Sequence, residues 1–382
     1  MRILPFLVSF AILSPAIVHA ATPVAPVLEA EAYVLKDLNS DQVLVAQNAD
    51  ERREPASITK LMTAYIAFEA LRNGKIKQDQ TTSVSMNAYK QEGSRTFLEV
   101  NEQVPVKTLL YGTIVQSGND ATVALAELIS GNEATFAQKM NETAKKLGMT
   151  NTHFVNATGL NHPEHYSTAS DLARLAAAII RDYPDYYPIY SVKSFTHRKI
   201  TQPNRNLLLY RDPSVDGMKT GHTAKAGYCL IASSKRNNRR LLSVVLGTRS
   251  DLARANESQK LLNFGFGSYE TILGATAGQR LASPKVYKGD LSTVYVGTAN
   301  NASITLPNGE AQKLTKQVNL NSPLIAPLPK GTQVGTLSLS LNSKLIQTVP
   351  VITLEQVSSG GWVKRIKDSL YLMLAERGWV AR

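Results

Sequence analysis

The chain has 382 residues, 42 Lys and Arg against 30 Asp and Glu, and an apolar share of 43%. That length fits two domains with room for a third, and so few charged residues (19%) rule out a disordered polyelectrolyte. The single Cys229 excludes an intrachain disulfide framework and any multi-cysteine metal site, and a net charge of +12 leaves nucleic acid, an anionic membrane or an acidic polymer as partner classes.

The first twenty residues narrow that choice. Met1-Arg2 is a positive start, Ile3 to Val18 is almost continuously apolar, and Val18-His19-Ala20 suits a signal peptidase. Residues 1–20 are expected to be a signal peptide cut after Ala20, because the run is short for a membrane span and lacks a basic stop-transfer flank. An exported chain is not expected to bind nucleic acid.

Residues 21–28 form a Pro-rich linker, and Glu31 to Ala46 alternates around Asn39-Ser40-Asp41 as a hairpin would. Helical patterns follow at Ser57 to Leu71, Asp120 to Leu128, Thr135 to Leu147 and Thr168 to Asp182, the last with Ser170-Asp171 as its start signal. Strands are expected at Tyr228–Ser233 and Leu241–Gly247, joined by the basic run from Lys235 to Arg240, read as a solvated hairpin tip.

After about Leu281 the helical patterns vanish, and short Val/Thr/Leu/Ser runs alternate with turns such as Pro307-Asn308-Gly309. The expected division is a mixed α+β unit over 21–281, a small all-β unit over 282–357, and a Gly-rich hinge with a final helix over 358–382. On that helix Trp362, Val363, Ile366, Leu370, Met373 and Leu374 form one apolar stripe, with five basic and two acidic residues in the segment. It carries too many charges to span a bilayer but suits the surface of an anionic membrane.

Three short motifs carry chemistry. In Ser57-Ile58-Thr59-Lys60 the hydroxyl and the amine share a helix face, and a lysine destabilised by burial or a nearby cation can take the proton of a serine. Ser117-Gly118-Asn119 offers a proton-relaying hydroxyl and an amide that both donates and accepts. Lys219-Thr220-Gly221 offers a cation and a hydroxyl for docking an anionic substrate along a strand edge. Each alone is weak; in this order they form the S-x-x-K, S-x-N, K-T-G set of active-site serine penicillin-recognising enzymes. His162 and His165 bracket Glu164, but Pro163 disfavours a helical pair and no further ligand motif accompanies them, so neither metal nor cofactor is expected. Cys229, in a predicted strand, is read as a small core residue.

Wider stretches sharpen the resemblance. Glu54 to Thr63, Gln116 to Asp120, Asn204-Arg205-Asn206 and Val215 to Thr223 resemble the D-alanyl-D-alanine carboxypeptidases of the low-molecular-mass penicillin-binding protein 5/6 type. The resemblance implies a β-lactamase/transpeptidase-like catalytic domain with an antiparallel sheet and helices, followed by a β-rich domain and a membrane-anchoring helix. It implies Ser57 as nucleophile, Lys60 as base kept neutral partly by Lys219, and Ser117 as proton relay. Lys219, Thr220 and Arg205 would bind the terminal carboxylate of a peptidoglycan stem peptide ending in D-Ala-D-Ala. Asn119 would orient the peptide amide, and the backbone N–H groups of Ser57 and His222 would form the oxyanion hole. β-Lactam antibiotics would acylate the same serine, and the enzyme would sit on the periplasmic face of the inner membrane. A β-lactamase is disfavoured because those enzymes usually have Asp where this chain has Gly118 and lack the β-rich domain. A non-catalytic scaffold is disfavoured because all three motifs are intact. The paralogue, and whether two copies pair on the membrane, stay open.

Overall fold

The computed structural model describes residues 23–377, so the expected signal peptide lies outside the described residues. A five-stranded antiparallel sheet organises the larger unit: β1 (Ala32–Asp37), β2 (Val43–Gln47), β3 (Val215–Thr223), β4 (Gly227–Arg236) and β5 (Arg239–Thr248). Their spatial order is β2-β1-β5-β4-β3, which leaves β3 at an edge. Both faces are covered, and strand alternation shows how. Ala32 and Val34 of β1 join one core, which also holds Cys229 and Ile231; Tyr33 and Leu35 join the other, with Leu230 and Ala232. The first core is filled by α1 (Lys60–Arg72), α2 (Asn119–Ser130), α3 (Glu133–Lys146) and α4 (Ala169–Asp182); the second is covered by α5 (Asp251–Ser268).

The helices match the sequence patterns to within a turn. Ser57 itself sits on a preceding 3₁₀ turn, Ala56–Thr59. The cap of α4 is Thr168, whose side chain accepts from the N–H of Asp171. The β4–β5 hairpin closes on Asn237 and Asn238, both at positive φ, in the two-residue turn that antiparallel strands favour. Lys235, Asn237 and Asn238 are exposed at its tip as expected, but the arginines of its basic run are paired. Arg236 reaches Asp212, Arg239 reaches Asp37 and Arg240 grips Asp216, because strand ends carry these residues into contact with carboxylates.

The β-rich unit has its own core, with Val294, Val296, Ile304, Leu337, Leu339 and Val351 among its buried residues. Strand β6 (Tyr269–Ala275) pairs with Ala302–Pro307, so this unit takes in a strand ahead of the composition change at Leu281. A four-stranded antiparallel sheet completes it. The two units meet at Asp37. Its Oδ1 accepts from the N–H groups of Asn39 and Ser40, and its Oδ2 accepts from Arg239 at 2.7 Å and Thr271 at 2.5 Å. Ser40 and Gln42 both reach Thr305 across the same joint.

The segment read as a hinge is tied down. Ser358 and Asp290 exchange two hydrogen bonds, and the N–H of Gly360 donates to the Lys288 carbonyl. The final helix, α6 (Trp362–Glu376), then runs along the β-rich unit. No helix among the described residues is long and apolar enough to cross a membrane.

Candidate active site

Ser57 is presented by a single 3₁₀ turn whose neighbour Ile58 is fully buried, so the turn is pinned from below. Strand β3 lies directly against it at Gly221. A Cβ there would stand 2.9 Å from the Pro55 carbonyl oxygen and 3.1 Å from Ile58, so only glycine lets the edge strand approach this closely.

Lys60 opens α1 and is buried beneath Ser57. Its Nζ lies 3.0 Å from Ser57 Oγ, 2.7 Å from Asn119 Oδ1 and 2.8 Å from the Thr158 carbonyl oxygen. Burial, then the nearby Arg205 guanidinium, lowers its pKa from 10.5 to about 7, with Asp120 and Glu133 pulling the other way. The resemblance implies that Lys219 adds to this pressure. Lys219 is itself held well below its ordinary value by burial and then by Lys60, Arg205 and Arg254, and repulsion between two buried amines acts on both.

Ser117 follows a π-helical turn and adopts the left-handed region at φ 62°. Its Oγ accepts from Lys219 Nζ at 2.9 Å, and Lys219 also donates to the Thr220 carbonyl. Asn119 is committed at both ends, its Oδ1 to Lys60 and its Nδ2 to the Glu92 carbonyl at 2.5 Å. Two internal partners were not foreseen for a residue expected to face substrate.

Arg205 is exposed, but its loop is braced. Buried Asn204 donates to the Val192 carbonyl, and buried Asn206 donates to the Gly217 carbonyl of β3. The His222 ring is exposed and lies 3.9 Å, centroid to centroid, from Tyr228. Ser57, Ser117, Asn119, Arg205, Thr220 and His222 line one cleft of about 970 Å³, with Lys60 and Lys219 buried under its floor.

Other residues support the cleft, and of these Glu133 and Arg254 carried no sequence signal. The Asp120 carboxylate accepts from the N–H groups of Thr96, Leu98 and Ala121, fixing the loop that rims the cleft. Glu133 accepts from Ala157 N–H and so holds the strand of chain that offers the Thr158 carbonyl to Lys60. Arg254, on α5, donates to the Gly221 carbonyl and lines the cleft. His165 is neutral, with its pKa lowered to about 4 chiefly by burial. Its Nδ1 accepts from Val155 N–H, so Nε2 carries the proton and donates to Thr59 Oγ1 at 2.8 Å. Cys229 is buried, its thiol pushed up to about 11 by desolvation. Among the described residues no group of three or more His, Cys, Asp or Glu could hold a metal ion.

A buried lysine against a serine, beside a second lysine–serine pair, is an arrangement in which a serine hydrolase can use lysine where others use histidine. Residues 19–250 match the D-alanyl-D-alanine carboxypeptidase family of peptidases, and residues 269–359 match the C-terminal domain of penicillin-binding protein 5. The chain is 43% identical to the D-alanyl-D-alanine carboxypeptidase DacC of Escherichia coli (strain K12), over 93% of this chain and 90% of that one. It is 42% identical to DacA of Haemophilus influenzae, over 96% of each. The crystal structure of penicillin-binding protein 5 from Haemophilus influenzae superposes with a TM-score of 0.84 at 42% identity, covering 88% of this chain and all of that one. This chain belongs to the D-alanyl-D-alanine carboxypeptidase family.

Proposed function

We propose that this serine-type D-alanyl-D-alanine carboxypeptidase removes the last D-alanine from peptidoglycan stem pentapeptides through an acyl-enzyme on Ser57. The observation that carries the division of roles is the set of partners around Lys60. A neutral amine has two N–H groups and one lone pair. Asn119 Oδ1 and the Thr158 carbonyl oxygen take the two N–H groups, which leaves the lone pair for the Ser57 hydroxyl proton. A pKa of about 7 makes that neutral form available near neutral pH.

Ser57 Oγ then attacks the carbonyl carbon between the two terminal D-alanines while its proton passes to Lys60. The C–N bond breaks as Ser117, hydrogen-bonded to Lys219, relays to the departing amine the proton that Lys60 took from Ser57, which returns Lys60 to its neutral form. Lys219, Thr220 and Arg205 receive the terminal carboxylate, whose negative charge favours the charged form of Lys219. The N–H groups of Ser57 and His222 stabilise the oxyanion, and the approach of β3 at Gly221 supports that pairing. Water hydrolyses the ester and leaves a tetrapeptide. Penicillins acylate the same serine but are released slowly. Asn119 acts first on Lys60 and only second on the peptide amide.

Export to the periplasm through residues 1–20 and attachment to the inner membrane through α6 belong to the same reading. It is supported by the apolar stripe: Trp362 is 74% exposed, and Val363, Ile366, Leu370 and Met373 are exposed with it. The pairing of β6 with Ala302–Pro307 supports a division between catalytic and β-rich domains near Tyr269 rather than after Leu281. The test is Ser57→Ala. It abolishes both covalent penicillin labelling and D-alanine release from a peptide ending in D-Ala-D-Ala; release that survives sinks the serine mechanism.

A further inference from the structure

Helix α6 is amphipathic, yet it does not pack by its apolar side. Among the described residues, its contacts with the β-rich domain come from the opposite face. Asp368 Oδ2 accepts from the Lys288 N–H at 2.6 Å, and Lys364 Nζ donates to the Leu291 carbonyl at 3.2 Å. The Tyr371 ring stacks on Tyr287 at 5.7 Å, with the Lys285 ammonium within 5 Å of both ring centres. Ala375 is buried. Positions 364, 368, 371 and 375 recur at the spacing of one helix face, and the Trp362, Ile366, Leu370 and Met373 stripe lies about 180° away at ~100° per residue. At the start of the helix, Gly360 is tied to Lys288 and Ser358 to Asp290.

Resting on the membrane reading above, we propose that α6 is a fixed foot rather than a tethered anchor. It meets an anionic lipid surface in the pose seen here, with its polar face still docked to the β-rich domain. The chemistry of the two faces fits that occupant. Docking turns Asp368 inward and leaves Arg365 and Lys367 exposed beside the stripe, so the outward side is apolar and basic. Leu291 and Ile325 of the β-rich domain, each 41% exposed, adjoin the docking contacts, and in this pose they would add apolar surface beside the helix. Leu291 receives Lys364, and Ile325 pairs with the strand that bears Tyr287. The joint at Asp37 ties that domain to the catalytic unit, so the foot also sets the height and tilt of the cleft above the lipid.

The experiment uses the mature protein with Cys229→Ala, Tyr287→Cys and Tyr371→Cys, closed by a short bis-maleimide, in flotation with vesicles of phosphatidylglycerol and phosphatidylethanolamine. The linked protein is expected to float within about twofold of the unlinked one, since nothing has to undock. Failure of the link to form in solution overturns the docking. A linked protein that stays behind while the unlinked one floats overturns the fixed pose and leaves the membrane reading standing. If the unlinked protein with its native tyrosines does not float either, lipid is the wrong occupant and both readings fall. Leu291→Ser and Ile325→Ser are expected to weaken flotation several-fold. Leu345→Ser is expected to leave it unchanged, because Leu345 sits at a hairpin tip some nine residues, about 30 Å, up the strand from the α6 end of the domain. Equal effects at all three positions would remove the domain from the lipid surface.

Discussion

Lys60 and Asn119 are joined by the shortest side-chain bond that Lys60 makes, 2.7 Å from Nζ to Oδ1, and both are buried. The amide oxygen holds the amine in line with Ser57, and the amide nitrogen is anchored in turn by the Glu92 carbonyl. The proposed base is therefore positioned by the second motif of the sequence as much as by its own helix.

The pH dependence of acylation follows from Lys60. With its pKa at about 7, the rate of acylation by a reporter penicillin rises through that pH as the neutral amine forms. Arg205 lowers this pKa, so Arg205→Ala moves the rising limb to higher pH, whatever it does to binding. Rate constants measured across about pH 5 to 10 check this, and a limb that stays in place would separate Arg205 from the base. The same shift has a sign for stability. Between about 7 and 10.5 the folded chain binds fewer protons at Lys60 than the unfolded chain, so this group makes stability rise with pH across that window.

Asn119→Asp separates the two roles of that residue. A carboxylate beside Lys60 favours the ammonium, so the limb moves upward in pH while the loop contact to Glu92 is lost. Asn119→Ala, which removes one of the two acceptors around the amine, is expected to slow acylation by about 10²-fold. If Asn119 only oriented the peptide, KM would rise with no movement of the limb.

Gly118→Asp tests why this chain departs from the β-lactamase pattern. A Cβ at 118 would stand 2.2 Å from Thr96 Oγ1 and 2.8 Å from both Asp120 Oδ1 and the Thr96 backbone nitrogen. The substitution is expected to cost about 2–4 kcal/mol and to bring no gain in penicillin turnover. Denaturant unfolding and a penicillin hydrolysis assay read both halves, and a stable variant with faster turnover would refute the steric account.

Asp37→Ala removes the acceptor that binds Arg239 and Thr271 across the domain joint. It leaves the largely buried guanidinium of Arg239 without its carboxylate, at a cost of about 3–5 kcal/mol. Denaturant unfolding is expected to report this loss, whereas D-alanine release from a small soluble peptide is expected to persist under conditions where the variant is folded. A loss below about 1 kcal/mol would show that the joint depends on Thr305 instead.

Much of the fold was legible because the signals are local. Helix α4 shows its apolar face and its cap within a few residues of chain, and the first hairpin and the β4–β5 pair show as alternation and turn chemistry. The basic run from Arg236 to Arg240 was misread for the complementary reason. Its partners Asp37, Asp212 and Asp216 lie elsewhere in the chain, and only the fold brings them in. Strand β6 was missed because its ladder partner lies beyond an irregular stretch that separates the two in sequence.

By itself the sequence determined the candidate reactive groups and their order: Ser57 with Lys60, Ser117 with Asn119, Lys219 with Thr220, and an amphipathic segment at the end. Those follow from residue type and helical or strand period, which need no long-range contact. The tertiary structure alone decided that Arg205 presses on Lys60, what else Asn119 holds, why Gly118 has no side chain, and which face of α6 turns outward. Each of these depends on burial and on charges brought together from distant parts of the chain. Desolvation and Coulomb interaction act through space rather than along the sequence.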